Sequence, residues 1–163
     1  MEWLLGLALA ASIGGLFAPW KDLSDNISNS LPTALSILQV APFLALVWLF
    51  LNDATGFELV RLHGGGDMPL GYRVSAVWAG REGPLLLWAA LLAICGAVFQ
   101  PRVRDATEVM FRRLVHGTVL ILLSISWTMS PFRDSTASWR GELNPLLQTD
   151  LMVVHPPIVF LFY

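Results

Sequence analysis

The chain has 163 residues, of which 55% are hydrophobic and 13% charged, and a formal net charge of −2. That is too apolar for an ordinary soluble domain of this length, and a small, unclustered charge argues against a nucleic-acid partner. The single cysteine, Cys95, lies inside an apolar run, which excludes a disulfide scaffold or a CxxC metal cluster within the chain.

A membrane-spanning helix needs ~20 mostly apolar residues, because the hydrocarbon core is about 30 Å thick and a helix rises about 1.5 Å per residue. The first run that meets this covers residues 3–20. It carries Glu2 and no basic n-region, so it reads as a retained span rather than a cleaved signal. Trp3 and Trp20 bracket it as interfacial anchors. A second span is predicted over 31–52, with Pro32 in its first turn and Pro42 kinking it. Residues 53–82 form a loop that holds His63 and three consecutive glycines, Gly64, Gly65 and Gly66. The third span runs over 83–100 and the fourth over 114–130, separated by a basic loop with Arg102, Arg104, Arg112 and Arg113. A long loop over 132–150 leads to a fifth apolar run, 151–163. At 13 residues that run is too short to span, so the chain is expected to be a piece of a longer protein. The expected fold is therefore all-α and polytopic, with four complete transmembrane helices and a truncated fifth.

Alternation of spans puts residues 21–30 and 101–113 on one side, and 53–82 and 131–155 on the other. Each side carries five Lys or Arg, but the 101–113 loop packs four arginines into 13 residues. Short basic loops dominate orientation, which places that loop in the cytoplasm and the two long loops in the periplasm.

No nucleotide loop, zinc spacing or Ser/His/Asp constellation is present; the three histidines lie in separate segments. His155 stands in the string LMVVHPPIVFLFY, where a polar loop meets an apolar run. Read as a helix start, Pro156 and Pro157 would hold His155 extended at the N-cap, at the membrane surface. A neutral imidazole so placed can donate a lone pair to iron, or can simply cap the helix. His116, three residues into the fourth span, reads as a structural or bundle-facing histidine or a proton-relay candidate. His63 reads as an exposed loop residue, or as one that approaches a ligand on the His155 side. Trp78, Trp88, Trp127 and Trp139 fit an aromatic belt, and Trp78 and Trp139 are also candidates for stacking on a haem.

Three strings go further: YRVSAVWAGREGPLLLW (72–88), SPFRD (130–134) and GELNPLLQTDLMVVHPPIVFLFY (141–163). Together they resemble the CcmF family and its NrfE-like relatives, haem-handling membrane proteins of cytochrome c maturation. Leu143, Asn144, Pro145, Leu146, Leu147 and Gln148 match the segment that leads to the family's first periplasmic histidine, and His155 corresponds to it. Gly83, Leu85, Leu86, Leu87 and Trp88 match the start of the third span. The family's WWD motif, second periplasmic histidine and transmembrane haem b ligands are not in this sequence. Arg81 stands where the family usually has histidine, Pro84 where it usually has serine, and TDLMVV lacks the usual glycine.

The resemblance implies a component of a haem lyase complex in the bacterial inner membrane, inactive as this segment alone, with b-type haem as substrate. Its implied partners are haem, apocytochrome c, a haem chaperone and other maturation subunits, besides the bilayer. His155 would ligate the haem iron, while Arg133 and Arg140 could offset the propionates. Other classes are a non-catalytic scaffold subunit of a split haem lyase, and a transporter or channel fragment suggested by the Gly/Pro-interrupted helices. The last is weakened by the lack of charge in the middle of any predicted span.

Overall fold

The computed structural model describes residues 1–99 and 105–162, and its regular structure is helical; among these residues the only β pairing is an isolated bridge between Phe57 and Asp134. Seven α-helices follow one another: α1 (Glu2–Phe17), α2 (Asp25–Leu51), α3 (Glu58–His63), α4 (Leu70–Ser75), α5 (Glu82–Val98), α6 (Ala106–Met129) and α7 (Asp150–Phe162). Single 3-10 turns occupy Ala76–Trp78 and Pro145–Leu147. α1 packs between α2 and α6, and α5 packs between the same two on the other side, so the four long helices close a bundle. α7 lies outside it, against α4 and α5.

The seams are built from small residues. Ala8, Ala11, Ser12 and Gly15 form the buried side of α1 together with Leu5, and Ala89, Ala90 and Ala93 part of that of α5. Small side chains let backbones approach closely where no hydrophobic drive separates helix from lipid. Outward faces stay apolar: Leu7, Ile13, Phe17, Ile37, Leu44 and Ile121 are all exposed. Such surfaces suit acyl chains and not water.

Length sets which helices can cross a bilayer. Two do so by length and composition, Asn26–Leu51 and Ala106–Met129, and a third does if Leu70–Trp78 and Glu82–Val98, bent by 93°, count as one span. α1 has 16 residues and α7 has 13, both short of the ~20 a straight span needs. Four complete spans are therefore more than helix length alone supports.

Several boundaries differ from expectation. α1 ends at Phe17, and Trp20 turns back into the protein at 3% exposure instead of anchoring the interface. α2 starts at Asp25, so Pro32 lies well past its first turn, and the helix continues through Pro42 without a break. α6 starts at Ala106, eight residues before expectation, because the Asp105 carboxylate caps it by accepting the Glu108 amide at 2.8 Å. Arg112 is therefore a helix residue, while Arg102 and Arg104 of the basic loop lie outside the described residues. The third expected span ends within α5 at Val98, and the loop over 53–82 is itself helical in part, through α3 and α4.

The two long loops do meet at one end of the bundle. The Glu58 amide donates to the Arg133 carbonyl at 2.9 Å, the Ser135 amide to Gly56 at 2.7 Å, and the Gly141 amide to Arg61 at 3.0 Å. Buried Arg61 adds bonds to Ser135 Oγ and the Trp139 carbonyl, at 2.5 and 2.9 Å. Residues 53–82 and 131–149 thus form one cap, with α7 leaving from its edge.

Candidate haem-facing site and the buried histidine cluster

His155 lies inside α7, five residues after its start, and not at an N-cap. The helix runs through Pro156 and Pro157, so the expectation of an extended residue held ahead of a proline-led helix is corrected. Met152, Val153, Pro156 and Phe160 are half-buried on the side of α7 that meets the bundle. The imidazole is on the other side. It is exposed, makes no hydrogen bond to another described residue, and shares its face with exposed Leu151, Val154, Ile158 and Leu161. A ligand for haem iron needs a free ring nitrogen within an apolar surface that can cover a porphyrin. His155 has a ring that bonds to no described residue and lies on a face of exposed apolar side chains.

α7 is pinned at its first turns. The Trp78 indole N–H donates to the Met152 carbonyl at 2.6 Å, and the Tyr72 hydroxyl to the Asp150 carboxylate at 3.3 Å. The Asp150 charge, with lesser help from burial and that hydrogen bond, raises the Tyr72 phenol above its ordinary value. Further along, Trp88 meets Phe160 with ring centres 5.8 Å apart.

The other expected contributors are dispersed. Trp78 is 8% exposed and belongs to the core, so neither of its faces is open. Trp139 is exposed, with the Arg61 guanidinium 4.2 Å over its ring. Arg140 forms a two-pronged pair with Asp53, whose backbone φ is 51°. It also rims a cleft of about 560 Å³ lined by Gly64, Gly65, Gly66, Leu143 and Gln148, which does not include His155. Arg133 pairs with Glu58 at 3.5 Å. His63 closes α3 beside Glu82; burial lowers its pKa, and the Glu82 charge partly restores it.

The main feature that the sequence concealed lies within the bundle. His116 is 5% exposed; its Nδ1 accepts from Gln39 Nε2 at 3.0 Å, and the same amide donates to Ser12 Oγ at 2.9 Å. That bond requires Nδ1 to be unprotonated, so the neutral ring carries its proton on Nε2. Trp20 stacks on His116 at 5.9 Å and 4°, and its N–H is held by the Gly15 carbonyl at 2.9 Å. Arg112 sits 4.8 Å over the same indole and pairs with Glu108 at 2.5 Å, both side chains almost fully buried. A Glu four residues before an Arg is the sequence signal for such a pair, and DATE at 105–108 is the signal for the cap.

No protein-family model and no solved structure matches the chain. Curated relatives do. The cytochrome c-type biogenesis protein CcmF of Pseudomonas aeruginosa is 32% identical over 170 residues, which take in 98% of this chain and 26% of that protein. The cytochrome c-type biogenesis protein ccl1 of Rhodobacter capsulatus is 32% identical over 168 residues, again 98% of this chain and 26% of that one. The probable cytochrome c-type biogenesis protein NrfE of Escherichia coli is 30% identical over 132 residues, 77% of this chain and 24% of that protein. The chain belongs to the CcmF/NrfE family of cytochrome c-type biogenesis proteins and spans about a quarter of the length of the relatives it matches.

Proposed function

We propose that the chain acts in cytochrome c maturation, as the part of a membrane haem lyase complex that presents haem to apocytochrome c. The observation that carries this reading is the unpartnered His155 imidazole on the outward apolar face of α7, in a chain related to cytochrome c-type biogenesis proteins. Haem is the substrate. In the reaction each thiol of a CxxCH segment adds across one vinyl group, sulfur to the carbon next to the ring and hydrogen to the terminal carbon. No side chain of this segment serves as nucleophile. His155 holds the iron, Leu151, Val154 and Ile158 cover porphyrin, and fixed geometry replaces the entropy of encounter. Arg140, paired through both of its terminal nitrogens with partly exposed Asp53, would exchange that carboxylate for a propionate. Trp139 lies one residue away and is exposed, with Arg61 over its ring, and is the better of the two tryptophans for a stacking contact.

The accompanying topology has α1, α2, α5 and α6 all crossing the inner membrane, with the loops over 53–82 and 131–155 in the periplasm. Side-by-side packing of the short α1 and α5 on the two long helices supports this, since a bilayer thins or flanking residues reach outward around a helix that is short by a few ångströms. The remaining basic loop supports the orientation less than its arginine count suggests, because Arg112 is neutralised by Glu108. A transporter reading gains nothing from the same pair, since each buried charge has the other as its countercharge. Further partners on this reading are a haem chaperone and other maturation subunits.

The test is haem content. His155→Ala in the cellular protein is expected to lower haem copurifying with it, measured by pyridine haemochrome spectra. Wild-type content in that variant removes His155 from the site.

A further inference from the structure

A proline inside a helix has no N–H for the carbonyl four residues before it, and its ring pushes that carbonyl outward. Pro156 and Pro157 therefore deprive the Met152 and Val153 carbonyls of their intrahelical donors. Met152 and Val153 are half-buried, and a carbonyl shielded from water without a donor is costly. Trp78 supplies one of the missing donors, with its indole N–H 2.6 Å from the Met152 oxygen. The donor is itself rigidly held. Its ring is buried, and it ends the 3-10 turn Ala76–Trp78 at the sharp bend before α5. That turn lies so close to α5 that a Cβ on Gly83 would overlap the Val77 carbonyl.

We infer that Trp78 is the positioning residue for His155: its N–H takes the place of the one Pro156 lacks, fixing the turn Met152–His155 and with it the direction of the imidazole. His155 follows Met152 by three residues and directly precedes Pro156, so the pitch of this turn sets where its ring points. The role assigned to Trp78 is a hydrogen bond from the core; its ring faces are not used. The haem consequence rests on the reading of His155 given above, whereas the helix consequence does not.

The inference is tested by a cycle of variants in the purified protein. Trp78→Phe keeps an aromatic ring and removes the donor, and is expected to speed amide hydrogen exchange over residues 150–155 about tenfold. It also shifts the visible bands of bound haem, because axial ligation is altered. Pro156→Ala returns an N–H that can reach the Met152 carbonyl. In that background, Trp78→Phe is expected to leave exchange and spectrum within about twofold of the Pro156→Ala parent. Equal loss in both backgrounds, including failure to fold in both, overturns the inference, as does unchanged exchange in the presence of Pro156. Should His155→Ala retain the wild-type haem spectrum, the haem reading fails while the exchange cycle still decides the role of Trp78.

Discussion

Two histidines in this chain have opposite surroundings. His116 is enclosed by Gln39, Trp20 and the backbone of Gly15, with the Glu108–Arg112 pair one turn away. His155 faces outward from an apolar stripe and bonds to no described residue. Polar groups in a bundle that has lipid around it must find partners inside the protein, and the first cluster does so almost completely, leaving only Gln39 Oε1 and Glu108 Oε2 unbonded among its buried side-chain atoms. The second group is exposed, and on the proposed function its partner is haem. The contrast separates a histidine that builds the fold from one available to bind.

If that contrast is right, substitutions at the inner cluster unfold the protein and those at His155 do not. The largest effect is expected from Arg112→Ala, which leaves Glu108 buried without its countercharge and costs about 3–5 kcal/mol. Thermal unfolding in detergent should detect it, and a midpoint unchanged from wild type would mean the pair is hydrated in the membrane. Gly15→Ala should follow at about 1–3 kcal/mol, because its Cβ would overlap a His116 ring already held by Trp20 and Gln39. Little change in the midpoint would show that the ring can shift and that the cluster is looser than its contacts suggest.

The sequence disclosed the helical class, the placing of the two long loops at one end of the bundle, and the relationship to cytochrome c maturation proteins. These follow from run length and from strings such as LNPLLQ and HPP, which need no tertiary information. It did not disclose the inner cluster, since Glu108 and Arg112 look like loop charges until their spacing and the Asp105 cap are read together. Trp20 reads as an anchor from sequence because tryptophans that bracket an apolar run usually are. Here a donor bond to Gly15 folds it back instead. The position of His155 within a helix was hidden for a different reason. A Pro–Pro pair ends or starts a helix by local rules, whereas the first turns of α7 receive donors from far along the chain, Trp78 and Tyr72.

His63 sharpens the comparison, for it is half-buried and its imidazole makes no hydrogen bond to any described residue. Burial lowers its pKa below 6.5, and the nearby Glu82 charge opposes this only in part. Between the folded value and 6.5 the unfolded chain carries a proton that the folded chain does not, so acid draws the equilibrium toward unfolding. The stability tied to His63 is therefore full above pH 6.5, falls as the pH drops through that window, and levels off below the folded pKa. The effect is small, and is read as a difference: His63→Gln should unfold with a shallower loss of midpoint than wild type between neutral and mildly acidic pH. Glu82→Gln should steepen that loss, since it removes the one charge that favours the imidazolium. Identical pH profiles for wild type and His63→Gln would mean that His63 is as hydrated in the folded chain as in the unfolded one.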